Sequence, residues 1–158
     1  MRKIAIGVAA LAATVSTPAL AGTATGTVEV SLTVSSACSV TAEPLAFGTV
    51  SAFDANIDAS SPTTVKCTPG APYTVALDYG LNAGTTTQRK LKSTTSATTV
   101  NYSLFTDASR STAWGGTTML TGTGNGGEQA ATIYGRIPVQ TAVGAGDYKD
   151  TVTVTVTY

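Results

Sequence analysis

Thr27-Val28-Glu29-Val30-Ser31-Leu32-Thr33-Val34 and Thr151-Val152-Thr153-Val154-Thr155-Val156-Thr157-Tyr158 both alternate strictly between apolar side chains and hydroxylated or charged ones. Successive side chains of an extended chain point to opposite faces, so each run presents one apolar and one polar face. Each is read as a strand. One precedes the first cysteine of the exported part and the other runs to the last residue, an arrangement that predicts a sheet completed by another chain.

Upstream, Arg2 and Lys3, the apolar run Ile4 to Val15 and the small-residue site Ala19-Leu20-Ala21 together read as a signal peptide over residues 1–21. The mature protein then starts at Gly22. The apolar run is shorter than the roughly 20 residues needed to span a bilayer, and Pro18 interrupts the stretch after it, so no membrane insertion is expected. Residues 22–158 are enough for one domain with its own core.

Without Arg2 and Lys3, seven basic residues face nine acidic ones, a formal charge of −2 for the exported part. Nucleic acid and anionic lipid attract proteins through clustered Lys and Arg. The nearest approach to such a cluster, Arg89-Lys90-Leu91-Lys92, places Arg89 and Leu91 on one face and Lys90 and Lys92 on the other. It reads as a charged edge strand that resists unwanted pairing. No nucleic-acid partner is expected.

Cys38 and Cys67 are the only cysteines. In an exported chain they predict a disulfide closing a loop of about 30 residues and contributing roughly 3 to 4 kcal/mol on the chain-entropy model. Two buried free thiols are the alternative. With no histidine in the chain, two sulfurs alone do not close a tetrahedral shell, and no metal or cofactor is expected.

Threonine occurs 31 times and glycine 16 times, a composition that favours pleated structure and turns over helix. Strands are predicted at Cys38 to Thr41, Leu45 to Val50, Thr63 to Cys67, Tyr73 to Asp78, Thr99 to Thr106, Ala131 to Val139 and Tyr148 to Tyr158. This spacing is that of an all-β sandwich. Alternation assigns Tyr73, Val75 and Leu77, Val100, Tyr102 and Leu104, and Val152, Val154, Val156 and Tyr158 to the core. Thr68-Pro69-Gly70-Ala71-Pro72, Gly115-Gly116, the hairpin loop Gly122 to Gly127 and Gly144 to Asp147 supply the turns.

The lack of histidine rules out Ser-His-Asp and Cys-His catalysis. Asp107, Asp147 and Asp150 adjoin turns and read as solvated turn residues rather than a glycosidase pair, so no enzyme is expected. Asp54, Asn56, Asp58 and Ser60 match the first oxygen positions of a calcium loop. Ala59 then stands where glycine belongs and Val65 where a bidentate Glu belongs, so this stretch reads as a polar loop capping its own backbone. Trp114 reads as a lid on the core rather than a stacking platform. Asn101-Tyr102-Ser103 fits the glycosylation pattern but lies within a predicted strand.

Several motifs then share one order along the chain: Thr25 to Leu32, Cys38 with Val40, Phe47-Gly48, Cys67-Thr68-Pro69-Gly70 and Tyr73-Thr74-Val75-Ala76-Leu77. Asn101-Tyr102-Ser103-Leu104-Phe105 with Asp107, Ile133-Tyr134-Gly135-Arg136-Ile137 and Gly146-Asp147-Tyr148-Lys149-Asp150-Thr151 continue it. In these the chain resembles the spore coat protein U domain family and, within it, the major subunits of archaic chaperone-usher pili.

The resemblance implies an incomplete immunoglobulin-like β-sandwich completed by donor-strand exchange, with residues 22–36 as donor segment and 37–158 as the pilin-like domain. It implies Val28, Val30, Leu32 and Val34 as donor residues, and Val152, Val154, Val156 and Tyr158 as the lining of the acceptor groove. The partners implied are a periplasmic Ig-like chaperone, an outer-membrane usher and further copies in a self-polymer. The product is an extracellular, cell-surface fimbrium, exported through the periplasm and serving adhesion and biofilm formation. A secreted spore or cell-surface coat protein of the same fold is the alternative, and a carbohydrate-binding adhesin module is the alternative of another class. Tip adhesins of such systems carry an extra N-terminal domain, for which this sequence is expected to have no room.

Overall fold

The computed structural model describes residues 21–84 and 87–158. The signal peptide expected over residues 1–21 lies outside the described residues, Ala21 excepted. The chain divides into two units, Met1–Thr33 and Val34–Tyr158. No helix occurs among the described residues, so none is long and apolar enough to cross a membrane.

The strands of the second unit are β1 Cys38–Ala42, β2 Ile57–Ser61, β3 Thr63–Cys67, β4 Pro72–Leu77, β5 Arg89–Ser93 and β6 Thr99–Phe105. They continue with β7 Leu120–Thr123, β8 Glu128–Ala130, β9 Ile133–Ile137, β10 Tyr148–Lys149 and β11 Val154–Thr157. All pairings are antiparallel, in ladders ordered β1-β3-β8, β11-β4-β7 and β10-β5-β6-β9-β2.

The two three-stranded ladders are halves of one sheet. Across the bend after β3, Gly126 N donates to Cys67 O at 3.1 Å, Gly70 N to Gly124 O at 2.9 Å and Gly124 N to Ala71 O at 2.8 Å. A Cβ at residue 124 would collide with the Thr68 carbonyl, so glycine is what allows the two backbones this close. With β7 and β8 following one side of the bent β3–β4 strand, β1 and β11 lie end to end along its other side. The hairpin expected at Gly122 to Gly127 is therefore corrected. β7 and β8 pair with different strands, β4 and β3, and the glycines carry the chain straight on over a bend.

Side chains of matching parity meet in a single core: Val65, Cys67, Tyr73, Val75 and Leu77 from this sheet, and Val100, Tyr102, Leu104, Ile133 and Ile137 from the five-stranded one. Alternate burial along both sheets makes the fold an all-β, immunoglobulin-like sandwich. Trp114 is 1% exposed, and its Nε1 donates to Val75 O at 3.2 Å. It fills the core, as the lid expectation had it, and offers no open ring for stacking.

Four strand expectations need correction. Leu45 to Val50 forms no strand, because Leu45 and Phe47 are used as plugs over the bare backbone of Gly135. A Cβ there would lie 2.9 Å from Phe47 Cζ and 3.0 Å from Leu45 Cδ2. Ile57–Ser61, expected as a polar loop, is strand β2, held in register by β9. Arg89–Lys92 is a strand but not an edge, since β10 pairs beyond it. Tyr148 to Tyr158 is broken between β10 and β11, which belong to different sheets.

Candidate functional site

Thr27 to Val34, expected as a strand, has no place in any ladder of the described residues. Its four apolar side chains are in water: Val28, Val30 and Leu32 are 87%, 91% and 87% exposed, and Val34 73%. β-branched alternation favours an extended chain but makes a strand only once a partner supplies hydrogen bonds. Val28, Val30 and Leu32 belong to the first unit, and Val34 opens the second.

The opposite situation holds at β11. Its backbone pairs with β4 in the register Val154↔Leu77, Thr155↔Ala76, Val156↔Val75 and Thr157↔Thr74. It closes its ladder, so among the described residues no strand covers its other edge. Val152, Val154 and Val156 pack against the core yet stay half-buried. These three expected groove residues are brought together in one row. Tyr158, expected in the core with them, is 59% exposed and follows Thr157, the last residue of β11 paired with β4.

Two carboxylates decide where β11 begins. Asp150 Oδ1 accepts from Thr151 N at 2.9 Å, Asn82 N at 3.2 Å and Asn82 Nδ2 at 2.9 Å, and Oδ2 accepts from the Tyr102 hydroxyl at 2.8 Å. Asp78 Oδ1 accepts from Gly80 N and from Thr153 N, each at 2.9 Å. Carboxylates capturing main-chain N–H groups compete with ladder pairing. The chain leaves β10 and crosses to the other sheet between these two acids. Asp150, read from sequence as a solvated turn residue, is in fact a hub joining β6, the 80–82 loop and this crossing.

The electrostatics follow from those contacts. Burial works against the Asp78 carboxylate, but donation from Thr153 and Gly80 outweighs it and leaves the pKa below its ordinary value. Burial, reinforced by the bond to Asp150, pushes the Tyr102 hydroxyl well above the usual phenol range. Arg89 is 4% exposed. Its Nε donates to Asp78 O at 3.0 Å, and its guanidinium lies 5.3 Å from the Tyr79 ring centroid. Burial lowers the pKa of that guanidinium. These groups tie the end of β4 to β5 and β6 beneath the crossing.

Sequence reasoning missed the rest of the half-buried fringe around the core, which includes Leu45, Phe47, Phe53, Ile57 and Val143. Phe47 meets Tyr102 edge to face, with ring centroids 6.2 Å apart. The Leu45 and Phe47 spacing of two carried the signal, but with Pro44 before and Gly48 after it the pair reads equally as a short strand.

Cys38 and Cys67 form the expected disulfide and face each other in the β1–β3 register. Thr68 reinforces the junction. Its N–H donates to Ala37 O at 2.9 Å, while Ala37 N donates to its hydroxyl at 3.0 Å. Residues 37 and 38 are thus fixed to the β3 end by a covalent bridge and by hydrogen bonds.

Other polar clusters are structural. Asp58 takes a two-pronged contact from Arg136, at 2.7 and 2.8 Å, and lies 3.3 Å from Arg110 Nε. The Arg136 bond lowers its pKa. Asp107 caps the turn after it, accepting from Ser111 N and Thr112 N.

Against this geometry stand three likenesses. A family model described as the Spore Coat Protein U domain matches residues 24–155. Protein U of Myxococcus xanthus is 32% identical over 179 residues, covering 100% of both chains. Among solved structures, the CsuC–CsuE chaperone–tip adhesion subunit pre-assembly complex, from the archaic chaperone-usher Csu pili of Acinetobacter baumannii, gives a TM-score of 0.60 at 28% identity. That match covers 80% of this chain and 40% of the solved chain, so this chain spans less than half of its neighbour's length.

Proposed function

Because the chain belongs to the spore coat protein U domain family, we propose that it is a structural subunit of a secreted surface fibre that polymerises by donor-strand complementation. Residues 22–36 of one copy lie along β11 of another. Val28, Val30, Leu32 and Val34 enter the half-buried fringe beside Val152, Val154 and Val156, while Thr27, Glu29, Ser31 and Thr33 face outward. Tyr158 closes the end of the row. Pilin donor strands are a known case of strand addition to a sheet edge.

One observation carries this proposal: four alternating aliphatic side chains stand 73–91% exposed in a chain that also ends a ladder with a half-covered valine row. Burying four such side chains contributes on the order of 6 to 12 kcal/mol before ordering costs. Before assembly, a periplasmic Ig-like chaperone supplies the missing strand and an outer-membrane usher exchanges it. The likeness to a chaperone–subunit pre-assembly complex supports this partnership. The fibre is extracellular and serves adhesion and biofilm formation.

The test is a gel of unheated fibre. A ladder of bands that collapses to one on boiling is expected for the full chain, and no ladder for a chain lacking residues 22–37. Filaments from the shortened chain overturn the proposal. The match to Protein U along its whole length favours, as second reading, a coat protein of the same fold. Antibody labelling separates them, since a coat lies flush with the surface and a fibre extends from it.

A further inference from the structure

β5 and β10 meet in a register that sets Lys149 directly opposite Lys92. Directly opposed residues of an antiparallel pair project from the same face, and like charges placed so repel each other. Lys90, two residues back along β5, shares that face. Among the described residues both ion pairs run to Asp58, and none of these three ammonium groups takes part in one. Asp150, next to Lys149, is turned toward Tyr102 and Asn82. Asp147 is the remaining nearby acid, exposed and attached to the site through its main chain, with Thr94 N donating to its carbonyl at 2.9 Å. This corner of the five-stranded sheet therefore concentrates positive charge in a chain whose exported part is net negative.

An open depression of about 530 Å³ lies at the same corner, lined by Asn82, Lys92, Lys149, Ser93 at the end of β5, and residues 94–97 of the loop after it. The loop is held in shape from within, since Ser93 Oγ accepts from Thr95 N and Ser96 N, each at 3.2 Å. The side chains of Thr94, Thr95 and Ser96 are exposed. Two opposed ammonium groups thus stand beside a row of hydroxyls on a preformed loop.

We propose that this depression binds acidic saccharides, the ammonium groups of Lys92 and Lys149 taking a carboxylate or sulfate and the loop hydroxyls meeting those of the sugar. Phosphate backbones call for a longer basic track, and single strands for aromatic platforms on which bases stack. The lining offers two lysines and no aromatic ring. An anion between the lysines also relieves their repulsion, so occupancy stabilises the fold. The site is remote in sequence from the donor residues and needs no strand exchange.

The experiment is calorimetric titration of the purified protein, in whatever assembly state it takes, with tetragalacturonate at low salt. Maltotetraose, sodium sulfate and a single-stranded oligonucleotide are the comparison ligands. Saturable binding of tetragalacturonate is expected, weakened by added salt and absent for maltotetraose. The double variant Lys92→Gln/Lys149→Gln should bind at least tenfold more weakly while melting no lower than the parent, because a repulsion has been removed. Asp147→Asn should tighten binding several-fold. No saturable binding would mean that the opposed lysines recruit no acidic ligand, and would overturn the proposal. Equal affinity for maltotetraose or for sulfate alone, undiminished binding by the double variant, or tighter binding of the oligonucleotide would each overturn it as well.

Discussion

The carboxylate of Asp150 accepts the hydroxyl of Tyr102 at 2.8 Å, joining the chain just before β11 to the centre of the five-stranded sheet. Tyr102 is 4% exposed, and a buried hydroxyl that loses its partner keeps the full cost of its lost hydration. The bond therefore fixes the height at which the valine row of β11 leaves the core.

Asp150→Ala should destabilise the fold by about 1 to 3 kcal/mol, since it strands the Tyr102 hydroxyl and the Asn82 main-chain N–H together. Tyr102→Phe, which removes the donor and keeps the ring, should cost about 1 kcal/mol. Urea unfolding measures both. Equal losses for the two would mean that Asn82 and Thr151 draw little from the carboxylate.

Acid should loosen the crossing into β11. Asp78 has its pKa depressed in the folded chain, so its contribution is fully present above the unfolded carboxylate value near 4 and is lost as pH falls through the lower folded value. Asp58, partnered by Arg136, acts in the same direction, though its exposure keeps the effect small. Stability should be level above about pH 5 and decline below about pH 4. Asp78→Asn should flatten that decline, which thermal melts from pH 2 to 7 would show.

A charge in the proposed donor row should stop assembly and spare the domain. Val30→Asp or Leu32→Asp places a carboxylate where an apolar plug belongs, at a cost of several kcal/mol if buried. The subunit should retain its circular dichroism and its chaperone, and give no fibres. Normal fibre yield from either variant would count against donor exchange.

Gly135→Val should displace Leu45 and Phe47, whose tips already sit at 2.9 to 3.1 Å from the position a Cβ would occupy. Overpacking of this kind costs about 1 to 3 kcal/mol. Melting temperature measures the loss, and near-ultraviolet dichroism follows the Phe47–Tyr102 contact. An unchanged melt would mean that the 43–56 segment is free to move aside.

Cys38→Ser should cost about 2 to 5 kcal/mol, the usual range for removing a native bridge from a small exported domain. Reduction of the parent protein should lower its melting temperature to that of the variant. A parent insensitive to reductant would contradict the bridge as a source of stability.

Much of this was legible in the chain itself. Strict alternation at Tyr73 to Leu77, Val100 to Leu104 and Val152 to Val156 fixes which faces are apolar, because a period of two leaves a strand no other way to segregate its side chains. The cysteine pair and the exclusion of histidine chemistry are likewise properties of composition. Other features depend on contacts between residues far apart in sequence. Leu45 and Phe47 look like a strand until Gly135 opens a hole for them. Asp150 looks like a turn residue until Tyr102 arrives 48 positions away in sequence. The glycines after β7 look like a reversal until Cys67, Gly70 and Ala71 draw them along the bend. Local alternation can specify a face but cannot name its partner, so the sequence alone determined that both terminal runs are half-apolar ribbons. Only the tertiary structure decided that, among the described residues, Val154 and Val156 have one neighbouring strand, β4, because a ladder exists only where two chain segments meet.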